Sequence, residues 1–403
     1  MVSLSKSISR VEPSPTQAAA ARARALAEQG KDIISFTVGE PDFDTPAHVK
    51  AAAIEALEKG LTKYTAANGI LPLREAICAK LRRDQDLEYS PAEIIVTNGG
   101  KHALATACAV LLNPGDEAIV PAPYWTSYPD MARIASGEAV IVQTTAEQGY
   151  LMSPEALANA CSSRTKLIFL NTPSNPTGAC YSREQLRALA EVINRLPNRD
   201  EIVVLSDEVY EYITYDGFQH VSFLSVAPEL RANSMLINAF SKTYSMTGWR
   251  VGYAAGPKHI IDAMTTHVSQ FTSNVTSIAQ YAAAKAYEDH GAFPRLMLKE
   301  FTKRRDLVLE AAEQMPGVSI VPPKGSFFAF FNVAELLGKS VDGRLISQAR
   351  DFAEYLLEDY DVVVVQGEAF GDPQSVRISF ALATDRLKVG LARMIEATKR
   401  LAG

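Results

Sequence analysis

The chain has 403 residues, of which 47% are hydrophobic and 21% are charged, a composition typical of a globular protein with a large core. The formal net charge of -6 at pH 7 argues against a nucleic-acid-binding protein, which needs a basic patch. The absence of a long apolar run, of a signal-peptide pattern and of paired cysteines predicts a cytoplasmic protein with no membrane span, no structural metal site and no disulfide framework.

In chain order, the middle of the sequence alternates short apolar strands with helices. The predicted strands lie in the segments EIIVT, DEAIVPAPYW, EAVIVQTT, TKLIFL, DEIVVLSDEVYEYI and NSMLINAF. The helices between them include HALATACAVLL and SREQLRALAEVINRL, the second of which opens with Ser182 as a good N-cap. Nearly continuous apolar strands separated by helices predict a mostly parallel α/β sheet that is buried on both faces.

The last third of the chain has a different pattern. A long charged amphipathic helix, RLMLKEFTKRRDLVLEAAEQM, precedes several strands with loops and a final helix. This pattern predicts a smaller α+β domain that the N-terminal segment joins. We therefore expect an N-terminal segment at 1–45, a large domain at 46–285 and a small domain at 286–403.

Polar residues follow five of the predicted strands at equivalent places. They are Asn98–Lys101, Tyr124–Trp125, Asn171–Gly178, Asp207 and Lys242. Ligands of parallel α/β sheets bind beyond the carboxyl ends of the strands. We therefore expect these residues to meet around one ligand.

The glycine pair Gly99–Gly100 and the carboxylate Asp207 each allow two interpretations. Glycines at a helix start can bind a phosphate through free N–H groups, but such a pair is also a common turn. Asp207 could cap a following helix or hold a proton on a ring nitrogen. Tyr210 follows three residues later, one helical turn away, and could face the same site.

Two cations stand in unusual surroundings. Lys242 lies among small, hydroxylated and apolar residues, where it is either a surface lysine or a nucleophile that forms a covalent imine. Arg377 lies inside the apolar strand SVRISFA and needs an anionic partner, either a neighbouring acid or a bound carboxylate.

Trp125 could pack in the core or stack on a planar ring. The rigid loop NTPSNPTG favours a fixed polar side chain at Asn175.

Taken together, the blocks SFTVGEPDFDTP, KYTAANG, NTPSNPTG, SDEVYE, SKTYSMTGWRVGY and VRISFA resemble the class I pyridoxal-phosphate-dependent aminotransferases of fold type I. The resemblance extends from about Val11 to the C-terminus. GGKHAL and PYWTSYP are similar to segments of the bacterial aspartate aminotransferases of the thermophile and rhizobial type. The resemblance implies fold type I, with a large domain around a mostly parallel sheet and a smaller α+β domain from both termini.

The resemblance also implies the roles of individual residues. Lys242 would form the imine with pyridoxal 5'-phosphate and move the substrate proton, and Asp207 would keep the ring nitrogen protonated. Asn175 and Tyr210 would hydrogen-bond the 3-oxygen of the cofactor. The other implied cofactor contacts are Trp125 on the ring and Gly100, Lys101, Ser241 and Arg250 near the phosphate. Arg377 would bind the substrate α-carboxylate, assisted by the Gly39 backbone, with Trp125 and Asn175 beside the substrate.

The implied reaction is ping-pong transfer of an amino group from L-aspartate to 2-oxoglutarate through pyridoxamine phosphate. Tyr64 would reach the phosphate of a neighbouring subunit, so a homodimer is implied. Lys101 either binds the distal carboxylate of the substrate or only supports the phosphate loop. Glu12 stands where relatives that transaminate prephenate tend to have lysine, which argues against prephenate. Aromatic or broad-range donor specificity, other chemistry on the same cofactor and a non-catalytic sensor remain alternatives.

Overall fold

The computed structural model describes residue 2 and residues 5–403, and residues 1, 3 and 4 of the predicted N-terminal segment lie outside this description. The strands are β1 (Ile34–Ser35), β2 (Ile94–Thr97), β3 (Glu117–Ala122), β4 (Glu138–Gln143), β5 (Thr165–Asn171), β6 (Val203–Asp207), β7 (Ser234–Ala239), β8 (Gly252–Ala255), β9 (Ser319–Ile320), β10 (Phe328–Asn332), β11 (Ser340–Val341), β12 (Arg344–Leu345), β13 (Val362–Val363), β14 (Val365–Gln366) and β15 (Ser375–Ser379).

The helices lie between these strands and at both ends of the chain. They are α1 (Pro15–Glu28), α2 (Ala47–Glu58), α3 (Leu71–Gln85), α4 (Gly100–Leu111), α5 (Ser127–Ile134), α6 (Pro154–Ala160), α7 (Arg183–Arg195), α8 (Phe223–Val226), α9 (Phe240–Thr243), α10 (Lys258–Phe271), α11 (Ser277–Ala286), α12 (Ala292–Ala312), α13 (Ala349–Tyr360) and α14 (Thr384–Ala402). Within residue 2 and residues 5–403, no helix is both long enough and apolar enough to cross a membrane.

The largest sheet has seven strands in the order β2-β8-β7-β6-β5-β3-β4. Strand β8 runs antiparallel to both of its neighbours, and the other pairs in the sheet are parallel. Every residue of β2, β6 and β7 is buried, whereas the edge strand β4 exposes both of its ends. The mostly parallel sheet predicted from the continuous apolar runs is therefore confirmed.

Helices cover both faces of this sheet. On one face, Leu104 of α4 and Met264 of α10 pack against Ile95 and the neighbouring strands. On the other face, α7 packs against β5 and β6 through residues such as Leu186. Helix α7 begins at the predicted cap, because the Ser182 hydroxyl accepts the Gln185 N–H and the Gln185 side chain accepts the Ser182 N–H.

A second, antiparallel sheet has the order β14-β15-β10-β9 and packs with α12, α13 and α14 around a separate apolar core. Strand β1 from the N-terminal part pairs in parallel with β13, so that Ile34 lies opposite Val362. Phe36 then links β1 to β15, because its carbonyl accepts the Ser379 N–H at 2.8 Å. The smaller α+β unit is thus built from both ends of the chain.

The strand predicted in DEIVVLSDEVYEYI extends only to Asp207, the residue expected to end it. The helix that Asp207 would cap in one of its two interpretations does not form, and turns follow β6. The Asp207 carboxylate accepts the Val209 N–H at 3.3 Å, and such a local side-chain bond competes with both strand and helix. Tyr210 therefore reaches the site from a turn, not from the first turn of a helix.

Candidate active site

The carboxyl ends of the central strands and the edge of the small domain enclose a cavity of about 360 Å³. The predicted site residues that line this cavity are Gly39, Gly100, Lys101, Trp125, Asn175, Asp207, Tyr210, Ser241, Lys242, Arg250 and Arg377. They come from elements as far apart in sequence as the N-terminal segment and β15. The structure therefore brings them to one place, as expected for ligand binding at the ends of parallel strands.

Tyr64 is the exception among the predicted residues. It does not line this cavity and lies on an outer surface, where 90% of the residue is exposed. It borders a separate surface depression with Lys63 and Thr272. Its predicted contact belongs to a neighbouring subunit and stays a prediction.

One corner of the cavity is suited to an anion. Helix α4 starts at Gly100, and the first N–H groups of a helix have no partner within it. Gly99 has φ +84°, and a Cβ added there would lie 2.4 Å from the Arg250 Nη2, so only glycine lets the guanidinium approach so closely. Arg250 itself has φ +56° and donates to the Asn98 and Thr247 carbonyls at 3.1 and 2.9 Å. This corner combines a fixed cation with free N–H donors.

Lys242 lies in α9, directly after the buried strand β7, and its amine faces the cavity. Its Nζ donates to the carbonyl of Gly39 from the N-terminal segment. Desolvation by the surrounding protein lowers the Lys242 pKa to about 8, with Glu40 acting in the opposite direction. A lysine with this pKa has a substantial fraction of free amine near neutral pH, which is what a nucleophile or a proton carrier requires.

Asp207 ends β6 at the floor of the cavity and is buried. Burial raises its pKa to about 6, although the hydroxyl of Tyr128, which donates to Oδ2 at 2.6 Å, lowers it. The Asn171 amide donates to the Asp207 backbone carbonyl at 3.1 Å and so ties the ends of β5 and β6 together. A buried carboxylate with spare acceptor capacity is suited to a protonated ring nitrogen.

Arg377 projects from β15 and is only 3% exposed. Its Nη1 donates to the Asn175 amide oxygen at 3.0 Å and its Nη2 to the Thr37 carbonyl at 3.1 Å. The guanidinium lies 4.4 Å from the ring centre of Phe328. Its Nε has no hydrogen-bond partner within the described part of the chain, and burial lowers the Arg377 pKa to about 10. This oriented cation has no acidic partner among the described residues, so it fits a carboxylate ligand.

The remaining predicted side chains complete the cavity wall. Lys101 Nζ lies 4.9 Å from the centre of the Trp125 ring, and burial, together with Arg250, lowers the Lys101 pKa. Tyr210 is packed edge-on against Phe328, and burial raises its pKa, so its hydroxyl stays protonated. Trp125 is placed at the mouth of the sheet just before α5.

The sequence patterns missed several residues of this cavity, including Thr37 and Tyr128, whereas Asn171 belongs to a segment predicted to face the ligand. Tyr128 also stands inside a segment that resembles the family, but nothing local marks its contacts. Tyr128 follows Trp125 by three residues, and the two rings meet edge-on with centroids 5.4 Å apart, so this spacing was the available signal. Thr37 acts through its backbone carbonyl, which no side-chain pattern reveals.

A second buried group of polar residues lies behind β6, and we call it the β6 polar cluster: Lys80, Gln85, Glu208, Glu211 and His220. The ligand atoms of the last three lie within 4.8 Å of one another, a spacing that could hold a metal. Their oxygens already have donors, since Lys80 Nζ lies 2.5 Å from both Glu211 oxygens and His220 Nε2 lies 2.9 Å from Glu208. The carboxylates of the cluster are therefore satisfied by protein donors without an ion, although Gln85 Oε1 has no hydrogen-bond partner within the described residues.

The cavity fits a phosphorylated aromatic aldehyde with a basic ring nitrogen. The corner at Gly99 and Arg250 suits the phosphate, the Lys242 amine suits the aldehyde, and the Asp207 carboxylate suits the nitrogen. Arg377 then remains for a substrate carboxylate.

Comparison with known proteins agrees with this geometry. Residues 31–394 match the family model described as "Aminotransferase class I and II". The chain is 45% identical to the aspartate/prephenate aminotransferase of Cereibacter sphaeroides, with 98% of both chains covered, and 43% identical to the aspartate aminotransferase of Geobacillus stearothermophilus, with 97% of this chain and 98% of the relative covered.

Solved structures show the same relationship. The aspartate aminotransferase from Rhizobium meliloti superposes with a TM-score of 0.96 at 41% identity, with 100% of both chains covered. That from Thermus thermophilus, determined with maleate, gives a TM-score of 0.91 at 40% identity and covers 98% of this chain and 100% of its own. The fold is therefore the predicted fold type I, and the chain belongs to the class I and II aminotransferases.

Proposed function

We propose that this chain transfers the amino group of L-aspartate to 2-oxoglutarate with pyridoxal 5'-phosphate as cofactor. The observation that carries the proposal is the arrangement of Lys242, Asp207, Arg250 and Arg377 around one cavity, with each group lacking an ion-pair partner within the described part of the chain. The family membership, and relatives at 40–45% identity that are named aspartate or aspartate/prephenate aminotransferases, support it.

The proposed cofactor positions follow from the chemistry of each donor. Arg250, Ser241 and the first N–H groups of α4 hold the phosphate, and the indole of Trp125 covers the ring. Asn175 and Tyr210 donate to the ring oxygen. When bound, the cofactor supplies an electron sink for the carbanion that forms when the substrate loses its Cα proton.

The chain's own groups then move and hold protons. Asp207 holds the proton on the ring nitrogen, because a buried carboxylate favours a cation at that place. Lys242 Nζ would take the proton from the substrate Cα and deliver it to the C4′ atom of the cofactor. Its lowered pKa of about 8 allows both directions near neutral pH.

Two cations select the substrate in this proposal. Arg377 forms a bidentate contact with the α-carboxylate, and the Gly39 backbone closes over it. Lys101 attracts the distal carboxylate from its place beside Trp125. The Thermus thermophilus relative was determined with maleate, a four-carbon dicarboxylate like aspartate, which supports a dicarboxylate substrate for this chain.

Whether this chain accepts prephenate as a substrate depends on the N-terminal segment. Relatives such as the Cereibacter sphaeroides protein carry a name that includes prephenate. In this chain Glu12 borders a depression of about 260 Å³ together with Lys101 and Asp130. Glu12 stands there in place of the lysine that relatives transaminating prephenate tend to have, and Asp130 is paired with Arg133 at 3.0 Å, so we propose aspartate as the donor and not a prephenate-directed reaction.

Three further properties belong to the same proposal. The active form is a homodimer in which the exposed Tyr64 reaches the partner's phosphate site. The N-terminal segment at 1–45 joins the small domain at 286–403, which the pairing of β1 with β13 supports. Each of the four cysteines is a free thiol, which fits the reducing cytoplasm.

The test is a steady-state comparison of amino donors with the purified, cofactor-loaded protein. We expect ping-pong kinetics with 2-oxoglutarate and a kcat/KM for aspartate at least about tenfold above that for phenylalanine, because only aspartate has the second carboxylate. Equal rates would favour a broad-range enzyme. Release of ammonia without glutamate would favour a different reaction, and cofactor binding without amine transfer would favour a sensor.

A further inference from the structure

Tyr128 contacts both Asp207 and Trp125, the two residues proposed to contact the nitrogen and the face of the cofactor ring. Its hydroxyl donates to Asp207 Oδ2 at 2.6 Å, and both residues are buried. Its ring stacks on Phe169 with centroids 4.9 Å apart and meets the edge of Trp125 at 5.4 Å. The side chain therefore has little freedom to leave Asp207.

The direction of this hydrogen bond is determined by the two groups. Burial and the neighbouring Asp207 charge hold the pKa of Tyr128 well above its usual value, so its hydroxyl is always a donor. An ionised carboxylate offers about four acceptor positions. The Tyr128 hydroxyl occupies one acceptor position on Oδ2 of Asp207, and the Val209 N–H, at 3.3 Å, occupies one on Oδ1. The remaining positions are available to a cation in the cavity.

We propose that Tyr128 is a positioning residue that fixes the Asp207 carboxylate for the ring nitrogen of the cofactor. Its hydroxyl prevents rotation of the carboxylate and keeps it ionised, so that the ion pair with the protonated nitrogen forms without reorganisation. This inference rests on the proposed cofactor and on the assignment of Asp207. A purely structural role would instead make Tyr128 a core residue whose hydroxyl only satisfies a buried acid.

The experiment measures equilibrium binding to the apoenzyme with two probes. One is pyridoxal 5'-phosphate, and the other is its analogue in which a C–H group replaces the ring nitrogen. We expect Tyr128→Phe to weaken binding of the cofactor by about tenfold or more, the usual effect of removing a hydrogen bond to a charged group. Binding of the analogue should change by less than about twofold, because it has no nitrogen for Asp207 to hold.

Two variants serve as controls. Tyr89→Phe removes a buried hydroxyl that has no hydrogen-bond partner within the described residues and does not line the cavity, and it should leave both affinities unchanged. In an Asp207→Asn background, Tyr128→Phe should cause little further loss of cofactor affinity, because the charged acceptor is gone.

The outcomes separate this inference from the proposed function. The role of Tyr128 would be overturned if Tyr128→Phe weakened binding of both probes equally or left the cofactor affinity unchanged. It would also be overturned if Tyr128→Phe reduced cofactor affinity as much in the Asp207→Asn background as in the wild type. A Tyr128→Phe apoenzyme that no longer folds would overturn it too, since that assigns the hydroxyl to stability. Failure of the wild-type apoenzyme to bind the cofactor would instead overturn the proposed function itself.

Discussion

Two lysines of this protein, the fully buried Lys80 and the half-buried Lys242, stand in opposite surroundings. Lys80 is fully buried in the β6 polar cluster, where its amine lies 2.5 Å from both oxygens of Glu211. Lys242 faces the cavity and donates to a backbone carbonyl, with no carboxylate in ion-pair contact within residues 5–403. One charge is fully compensated, and the other is kept partly uncompensated at a cost in stability.

The surroundings of the two lysines extend this difference. The Asn238 amide and the Gln85 amide also donate to Glu211, at 2.7 and 2.6 Å, so three side chains satisfy this carboxylate. In the cavity, Arg377 and Asp207 retain unused donor and acceptor capacity. Unsatisfied charge at the ends of parallel strands, and not buried charge as such, therefore distinguishes a binding site from a structural ion pair.

The largest expected effect tests the cavity lysine. We expect Lys242→Met to reduce kcat for transamination at least about a thousandfold, because it removes the proton carrier at the substrate Cα. The apoenzyme should be at least as stable as the wild type, since the variant removes a desolvated amine. Steady-state kinetics and urea unfolding measure the two quantities. Turnover near the wild-type rate would contradict the role of Lys242.

The same substitution at the other lysine should act in the opposite way. We expect Lys80→Met to lower the free energy of unfolding by about 3–5 kcal/mol, because it leaves the Glu211 carboxylate buried without its cation. Urea unfolding of the apoenzyme at pH 7 measures this loss. Aspartate KM should stay unchanged in the folded fraction, since Lys80 does not line the cavity. A loss of less than about 1 kcal/mol would remove the contrast between the two lysines.

The pH dependence of cofactor association sharpens the comparison further. A lysine attacks an aldehyde as the free amine, so the association rate should rise through a pH of about 8 and not through the usual lysine pKa. The rate at pH 9 should then be about tenfold that at pH 7. Stopped-flow absorbance with the apoenzyme measures it, and a rate that keeps rising above pH 10 would contradict the lowered pKa.

The same shift predicts a stability change with a definite sign. The Lys242 pKa is lower in the folded chain than in the unfolded chain, so between about pH 8 and pH 10 the unfolded chain binds more protons. The stability of the wild-type apoenzyme relative to Lys242→Met should therefore rise with pH across this window. An independent urea series at each pH measures the difference, and a constant difference would contradict the shift.

The smallest expected effect concerns Lys101. If Lys101 attracts the distal carboxylate, Lys101→Met should lower kcat/KM for aspartate about tenfold while that for phenylalanine stays nearly unchanged. If the lysine only supports the phosphate corner, both substrates should lose rate together and cofactor affinity should fall. The ratio of the two kcat/KM values therefore decides between the interpretations.

Local patterns predicted much of the fold because they depend on neighbouring residues. The buried strands, the Ser182 cap and the grouping of polar residues at strand ends all follow from periodicity and turn chemistry. The turn after Asp207 was not predicted, and in it the Asp207 carboxylate accepts the Val209 N–H. Such a bond competes with secondary structure without changing the apolar pattern.

By itself, the sequence determined the α/β class, the family resemblance and the identity of candidates such as Lys242, Asp207 and Arg377, because short motifs record the chemistry of single residues. Only the tertiary structure decided which charges are compensated. Lys80 and Glu211 are 131 residues apart, and Tyr128 and Asp207 are 79 apart, so no local period relates them. Their pairing depends on how the helices and the strand ends pack, and that packing separates the closed ion pair from the open site.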